Sequence, residues 1–120
     1  MKRNLILLFF IACSFSACRK DKVKSGVIID SDCPEEISFS GDILPIINNN
    51  CNTSGCHNAA AQSGGYVFET HAQISADATI MSDVMHHEGG FLPMPQGQPK
   101  LDDSLLLKFD CWVKQGKQNN

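Results

Sequence analysis

The stretch Cys51-Asn52-Thr53-Ser54-Gly55-Cys56-His57 gathers two thiols and an imidazole in one short segment. Thiolates are nucleophiles and soft ligands, and neutral imidazole is the commonest metal ligand among side chains. Two cysteines followed at once by a histidine mark covalent attachment of a haem c. The thiols add across the two vinyl groups, and the histidine lies under the iron as an axial ligand. Four residues separate the cysteines here, where the common pattern has two. Gly55, beside Cys56, supplies the backbone freedom to turn the longer loop and still aim both sulfurs at one macrocycle.

The other axial position needs a second donor. Met94 lies between two prolines in Phe91-Leu92-Pro93-Met94-Pro95-Gln96-Gly97-Gln98-Pro99. Three prolines exclude a helix or an inner strand, so this segment is a stiff loop able to hold a thioether at fixed distance. Thioether ligation favours ferrous iron and raises its potential. His86 and His87 are rival ligands that would give a bis-histidine centre of lower potential. An open sixth position is the third possibility, and it would permit ligand chemistry such as peroxide reduction. Met81 and Met85, at helical spacing, read as core filler.

Those candidate ligands must be delivered by the elements around them. Asp42 is expected to cap a first helix through Ile43-Leu44-Pro45-Ile46-Ile47, with Pro45 in its first turn, leading directly into Cys51. Residues 59–65 are small and polar, a loop, and Tyr66-Val67-Phe68 forms a loop wall against the cofactor edge, since no partner strand is evident. A short helix is expected from Thr70, then a second capped by Ser75 or Asp77. That second helix carries Ile80 and Val84 on one face, with Met81 and Met85 nearby, and stops at Gly89-Gly90. Asp102 or Asp103 caps the last helix. It presents Leu105, Leu106, Phe109, Trp112 and Val113 and stops at Gly116. The first and last helices can bury their apolar faces only against each other and the cofactor.

Ahead of the domain, Lys2 and Arg3 precede the apolar run Leu5-Ile6-Leu7-Leu8-Phe9-Phe10-Ile11-Ala12, and Phe15-Ser16-Ala17-Cys18 follows. This is a targeting segment, too short for a final membrane span. Its end resembles the lipobox of bacterial lipoproteins, whose cysteine is lipidated and becomes the new N-terminus. The alternative is an ordinary secretory signal with an incidental cysteine. Residues 1–17 are accordingly expected to be a signal peptide. Residues 18–32 would be a lipidated N-terminus at Cys18 and a flexible tether, and residues 33–120 one folded domain. The protein is then exported to the cell envelope, on the periplasmic side of a bacterial membrane, and lipid-anchored.

Six cysteines are present. Cys13 leaves with the signal peptide and Cys18 carries lipid. The remaining four allow three pairings. With Cys51 and Cys56 taken by haem, Cys33 and Cys111 remain, one near each end of the domain, in a compartment that favours disulfides.

From Cys33 onward four lysines face ten carboxylates, a net charge of −6 with histidine neutral. That balance excludes a nucleic-acid partner, which demands a basic face. It favours redox partners with basic docking surfaces, since charge steers their encounter. Alternatively, the acidity serves only to keep a small exported domain soluble.

Taken together, Asp42-Ile43-Leu44-Pro45-Ile46, the segment Cys51 to His57, Met94-Pro95-Gln96-Gly97, Leu101, and the final Trp112-Val113-Lys114-Gln115-Gly116 resemble the class I c-type cytochromes. The resemblance is to small bacterial cell-envelope members with a four-residue gap in the haem motif, and it covers residues 39–116. It implies an all-α cytochrome c fold, with the terminal helices packed together around one covalently attached haem. It also implies thioethers at Cys51 and Cys56 and axial ligation by His57 and Met94. The Leu92-Pro93 before Met94 and the longer cysteine spacing depart from the usual pattern. The expected function is a monomeric, membrane-tethered electron carrier serving an exported donor and acceptor, with no catalytic dyad. Two other functions compete with it. One is a haem peroxidase or sensor with an open or histidine sixth ligand. The other is a structural zinc module built from Cys51, Cys56 and two of His57, His86 and His87.

Overall fold

The computed structural model describes residues 32–33 and 35–120. The expected signal peptide, the lipid site at Cys18 and the tether up to residue 31 lie outside them. Three α-helices carry the fold: α1 (Leu44–Asn50), α2 (His71–His86) and α3 (Asp103–Lys114). A π-helical turn, Phe39–Ile43, leads into α1, and one 3-10 turn, Ser63–Gly65, lies between α1 and α2. No strand occurs among the described residues, so the chain is all-α there, and Tyr66-Val67-Phe68 is a loop.

The helix starts differ from expectation in two places. Asp42 is not the N-cap of the first helix. Ser38 instead caps the π-helical turn that leads into that helix, its hydroxyl accepting from Gly41 N–H at 3.1 Å. The Asp42 carboxylate reaches back to Ser38 N–H at 3.1 Å, so the two residues cap reciprocally. Pro45 does lie in the first turn of α1. The second difference is that α2 is one continuous helix rather than two. Thr70 and Gln73 form a capping box at its start. Ile74, Ala78, Met81 and Met85 then run as a single buried stripe at helical spacing through the point where Ser75 or Asp77 was expected to begin a new helix. A sustained apolar stripe outweighs a mid-helix capping residue.

The helix ends are also specific. α2 closes at His87, which is left-handed at φ 61, two residues before Gly89. The Glu88 N–H to Asp83 carbonyl bond at 2.9 Å completes the termination. α3 begins at Asp103, after Asp102, whose side chain makes no capping bond. It ends through Gly116, at φ 92, with Lys117 N–H on the Trp112 carbonyl at 2.9 Å. Here the expected glycine stop holds, because that backbone conformation carries no Cβ penalty only for glycine.

Trp112 is the hub of the core. It is fully buried and lies 5.7 Å from Phe39 and 5.9 Å from His71, between ring centroids. Phe39 and His71 meet edge to face at 4.9 Å. Three helical segments are thus joined by one aromatic cluster, in geometries worth about 0.5–1.5 kcal/mol per pair beyond burial. Leu106 and Phe109 complete the buried face of α3. Leu105 and Val113 are only half-buried.

The ends of the domain are tied to this core. Cys33 and Cys111 form a disulfide across 78 positions of sequence. In the chain-entropy account a loop of that length contributes roughly 4–5 kcal/mol. Gln115, buried at 2 % exposure, accepts from Ile37 N–H at 2.9 Å and donates to the Glu35 carbonyl at 2.7 Å. The tail crosses over Trp112, whose indole N–H donates to the Gln118 carbonyl at 2.9 Å. Asn120 then accepts from Phe39 and Ser40 N–H, at 2.8 Å and 3.0 Å.

Across the same interface Lys108 of α3 donates to Asp42 at 2.7 Å. That hydrogen bond holds the Asp42 carboxyl below its ordinary value of 3.8; the Ser38 N–H and the Lys108 charge assist, and burial opposes. A carboxyl with a depressed folded-state pKa stabilises above its unfolded value and loses that contribution as pH falls through the folded value. Asp42→Asn therefore lowers stability at neutral pH, and its deficit shrinks below about pH 4. Urea unfolding of both proteins at neutral and acid pH measures the narrowing gap.

Candidate functional site

The thiol segment begins where α1 ends. Cys51 N–H still bonds the Ile47 carbonyl at 2.8 Å, so Cys51 is held in helical register and buried in the core. The chain then folds back on itself. His57 N–H donates to the Cys51 carbonyl at 3.0 Å, closing the segment into one loop, and Cys56 N–H donates to the Thr53 carbonyl at 3.0 Å within it. Gly55 has φ +82, a left-handed conformation that uses the backbone freedom expected of glycine at this position.

Neighbouring residues brace the loop. Asn52 donates its amide to the Phe68 carbonyl and to Asn48 Oδ1, and Phe68 N–H donates to the His57 carbonyl at 2.9 Å. The Phe68 ring packs against His57 at 4.9 Å between centroids. Ser63 N–H bonds the Cys56 carbonyl at 3.0 Å. Tyr66 and Phe68 lie in a loop, as expected, and their rings pack on His57. Asn52 was not foreseen, and a single asparagine among several nearby carries no signal that would have singled it out.

This loop forms one side of a cleft of about 620 Å³. Cys51, Cys56, His57 and Met94 all line it, although Met94 is far from the others in sequence. Ile80, Met81, Val84 and Met85 of α2 form the opposing wall. Met81 and Met85 are buried, as expected of core residues, and they face the cleft as well. No Lys, Arg, Asp or Glu is among the lining residues. The volume lies within the roughly 300–1,000 Å³ typical of small-molecule and cofactor sites.

Met94 is held by its backbone. Its N–H donates to the Val84 carbonyl at 2.9 Å, in the last turn of α2, where helical carbonyls lack internal partners. The proline-rich loop thus caps α2 and fixes the methionine to the cleft wall in one bond. His86 and His87 do not line the cleft. His86 Nε2 pairs with Asp110 Oδ2 at 2.8 Å, and Ser82 donates to the same carboxylate at 2.7 Å, together stapling α2 to α3. His87 is exposed. Nor do the described residues contain any group of three or more His, Cys, Asp or Glu able to hold a metal ion. The four-ligand zinc set of Cys51, Cys56 and two histidines is therefore not assembled.

Both thiols are free, but they differ. Burial, reinforced by the charge of Cys56, pushes the Cys51 thiol up to about 12. Cys56 is half-exposed and its sulfur accepts from the Thr53 hydroxyl at 3.3 Å. His57 Nδ1 is buried without a hydrogen-bond partner. A buried polar atom left in that state costs on the order of 1–3 kcal/mol, so the ring makes fewer bonds than its burial demands. An imidazole and a thioether on one uncharged cleft, with two thiols alongside, are a donor set that fits a covalently held haem.

No family model, curated protein or solved structure matches the chain. Among the described residues no helix is long and apolar enough to cross a membrane.

Gly55 generates a direct test of the loop. Nothing lies within 4 Å of a Cβ built there, so the cost of a side chain is conformational rather than steric. Gly55→Ala should destabilise by about 1–2 kcal/mol and Gly55→Asn by less, because asparagine tolerates the left-handed region. Denaturant midpoints of the two variants give the comparison.

Proposed function

We propose that the chain is a monohaem c-type cytochrome of class I type that transfers single electrons between exported redox partners. In this proposal the helices adopt the cytochrome c fold, the protein is monomeric, and lipid on Cys18 tethers it to the periplasmic side of a bacterial membrane. The observation that carries the proposal is the convergence of Cys51, Cys56, His57 and Met94 on one cleft with no charged side chain in its lining.

The residues divide the work. Cys51 and Cys56 would hold the group covalently, and His57 and Met94 would supply an imidazole and a thioether donor to its iron. When bound, the haem supplies an iron that cycles between ferric and ferrous forms. Ile80, Met81, Val84 and Met85 exclude water on one side, and Phe68 on the other. A low-dielectric wall and a thioether donor both disfavour the more highly charged ferric state and so raise the potential. The Val84–Met94 bond keeps the thioether loop against that wall.

The surface supports the same reading. Phe91 and Leu92, on the Met94 loop, are 51 % and 57 % exposed. Exposed apolar residues beside a cofactor cleft, on a domain with net charge −6, suit brief docking to a basic redox partner.

The test is an absorption spectrum of the exported protein, co-expressed with haem-maturation machinery, before and after acid–acetone extraction. Covalent haem survives extraction, and methionine ligation shows a weak far-red band in the oxidised form. Met94→Ala should abolish that band and lower the potential while leaving the haem attached. Retained haem without the band in wild type would exclude the methionine ligand and favour the peroxidase or sensor function, for which rapid cyanide or carbon monoxide binding is the readout. Protein that matures without haem would overturn the proposal.

A further inference from the structure

The two thiols of the attachment loop are not equivalent in this fold, and the difference assigns an order to the chemistry. Resting on the haem proposal above, we infer that Cys56 forms the first thioether and that Cys51 closes the second only once the macrocycle is seated. Each addition is redox-neutral. The S–H bond and the vinyl double bond open, sulfur bonds the inner vinyl carbon, and hydrogen goes to the outer one.

Geometry carries the argument. Cys51 continues α1, its N–H bonded to Ile47, and its side chain belongs to the buried core. Its sulfur is reached only from inside the cleft, so the vinyl carbon must be brought to it. Cys56 lies beyond Gly55, on a half-exposed turn. The Thr53 hydroxyl, 3.3 Å from its sulfur, stabilises negative charge developing there. Asn58 holds the Thr53 end of the turn, its amide donating to the Thr53 carbonyl at 3.2 Å.

Access decides which sulfur an incoming group meets first, and Cys56 is half-exposed while Cys51 is buried in the core. Once Cys56 is joined, the second addition becomes intramolecular, and effective concentration replaces the lost reactivity. The same burial that slows Cys51 then keeps its thioether within the core. Thr53 is accordingly a positioning residue, acting through Cys56.

Two measurements test the order on the full chain. In the first, haem-free protein with its disulfide intact is pulsed with N-ethylmaleimide and mapped by mass spectrometry. Cys56 should label at least about tenfold faster than Cys51, and Thr53→Val should slow Cys56 several-fold without changing the Cys51 rate. Equal labelling, or Cys51 first, would overturn the order. In the second, Cys51→Ser, Cys56→Ser and wild type are matured in parallel and covalent haem is quantified. Cys51→Ser should retain a single-thioether haem while Cys56→Ser retains little. If wild type carries covalent haem and both variants retain it equally, the order fails and the haem proposal stands. If wild type carries none, the haem proposal itself fails and takes the order with it.

Discussion

A cleft of about 620 Å³ in a domain this small is the constraint from which the rest of the structure follows. Short chains bury a low fraction of their surface, and a void forfeits the dispersion contacts its walls would otherwise make. The apolar side chains that could have closed the core instead face the opening. Stability has to come from the remaining half of the interior and from ties at its edges. The Trp112 cluster provides the first, and the Cys33–Cys111 bridge, buried Gln115 and the tail over Trp112 provide the second. The Phe39–Trp112 contact, the disulfide, the Gln115 bond to Ile37 and the Asn120 bond to Phe39 each join the beginning of the domain to its end. A group that filled the cleft and bonded both walls would add what the chain alone lacks.

Charge is partitioned in the same way. Carboxylates outnumber lysines by ten to four from Cys33 onward, yet none of either lines the cleft. Lys108 with Asp42 and Lys100 with Asp103 serve helix starts, and Lys114, in the last turn of α3, pairs with Asp32. An uncharged interior beneath an acidic surface lets a change of charge inside the cleft be felt strongly there, with little local compensation.

The parts legible in the sequence were those specified by neighbours in sequence. The thiol segment, the turn at Gly55, the proline-braced Met94 loop and the glycine stop at Gly116 each follow from chemistry within a few residues. The apolar face of α3 was likewise readable from its period. The losses were of two kinds. Competing local signals misled at Asp42, where Ser38 caps four residues earlier, and at Ser75 and Asp77, where a capping box at Thr70 had already set the helix. Long-range partners left no trace at all. Gln115 bonds Ile37 across 78 positions, His71 bonds the Lys117 carbonyl across 46, and a lone glutamine or histidine has no periodicity to betray it. The disulfide was available only as the remainder after the other cysteines had been given roles.

The end of α2 binds these themes together. The Val84 side chain lines the cleft, and the Val84 carbonyl accepts from both His87 N–H, which closes the helix, and Met94 N–H, which fixes the loop. One residue therefore sets the cleft wall, the helix length and the height of the thioether above it. Two residues on, His86 ties the same turn to Asp110 of α3. A helix one residue longer would move the wall without the loop, and a looser loop would free the carbonyl without moving the wall. The left-handed His87 prevents the first and the flanking prolines prevent the second. The position of Met94 on the cleft is thus governed by how α2 terminates, and the strain of a non-glycine residue at that terminus is offset by the two elements it holds in register.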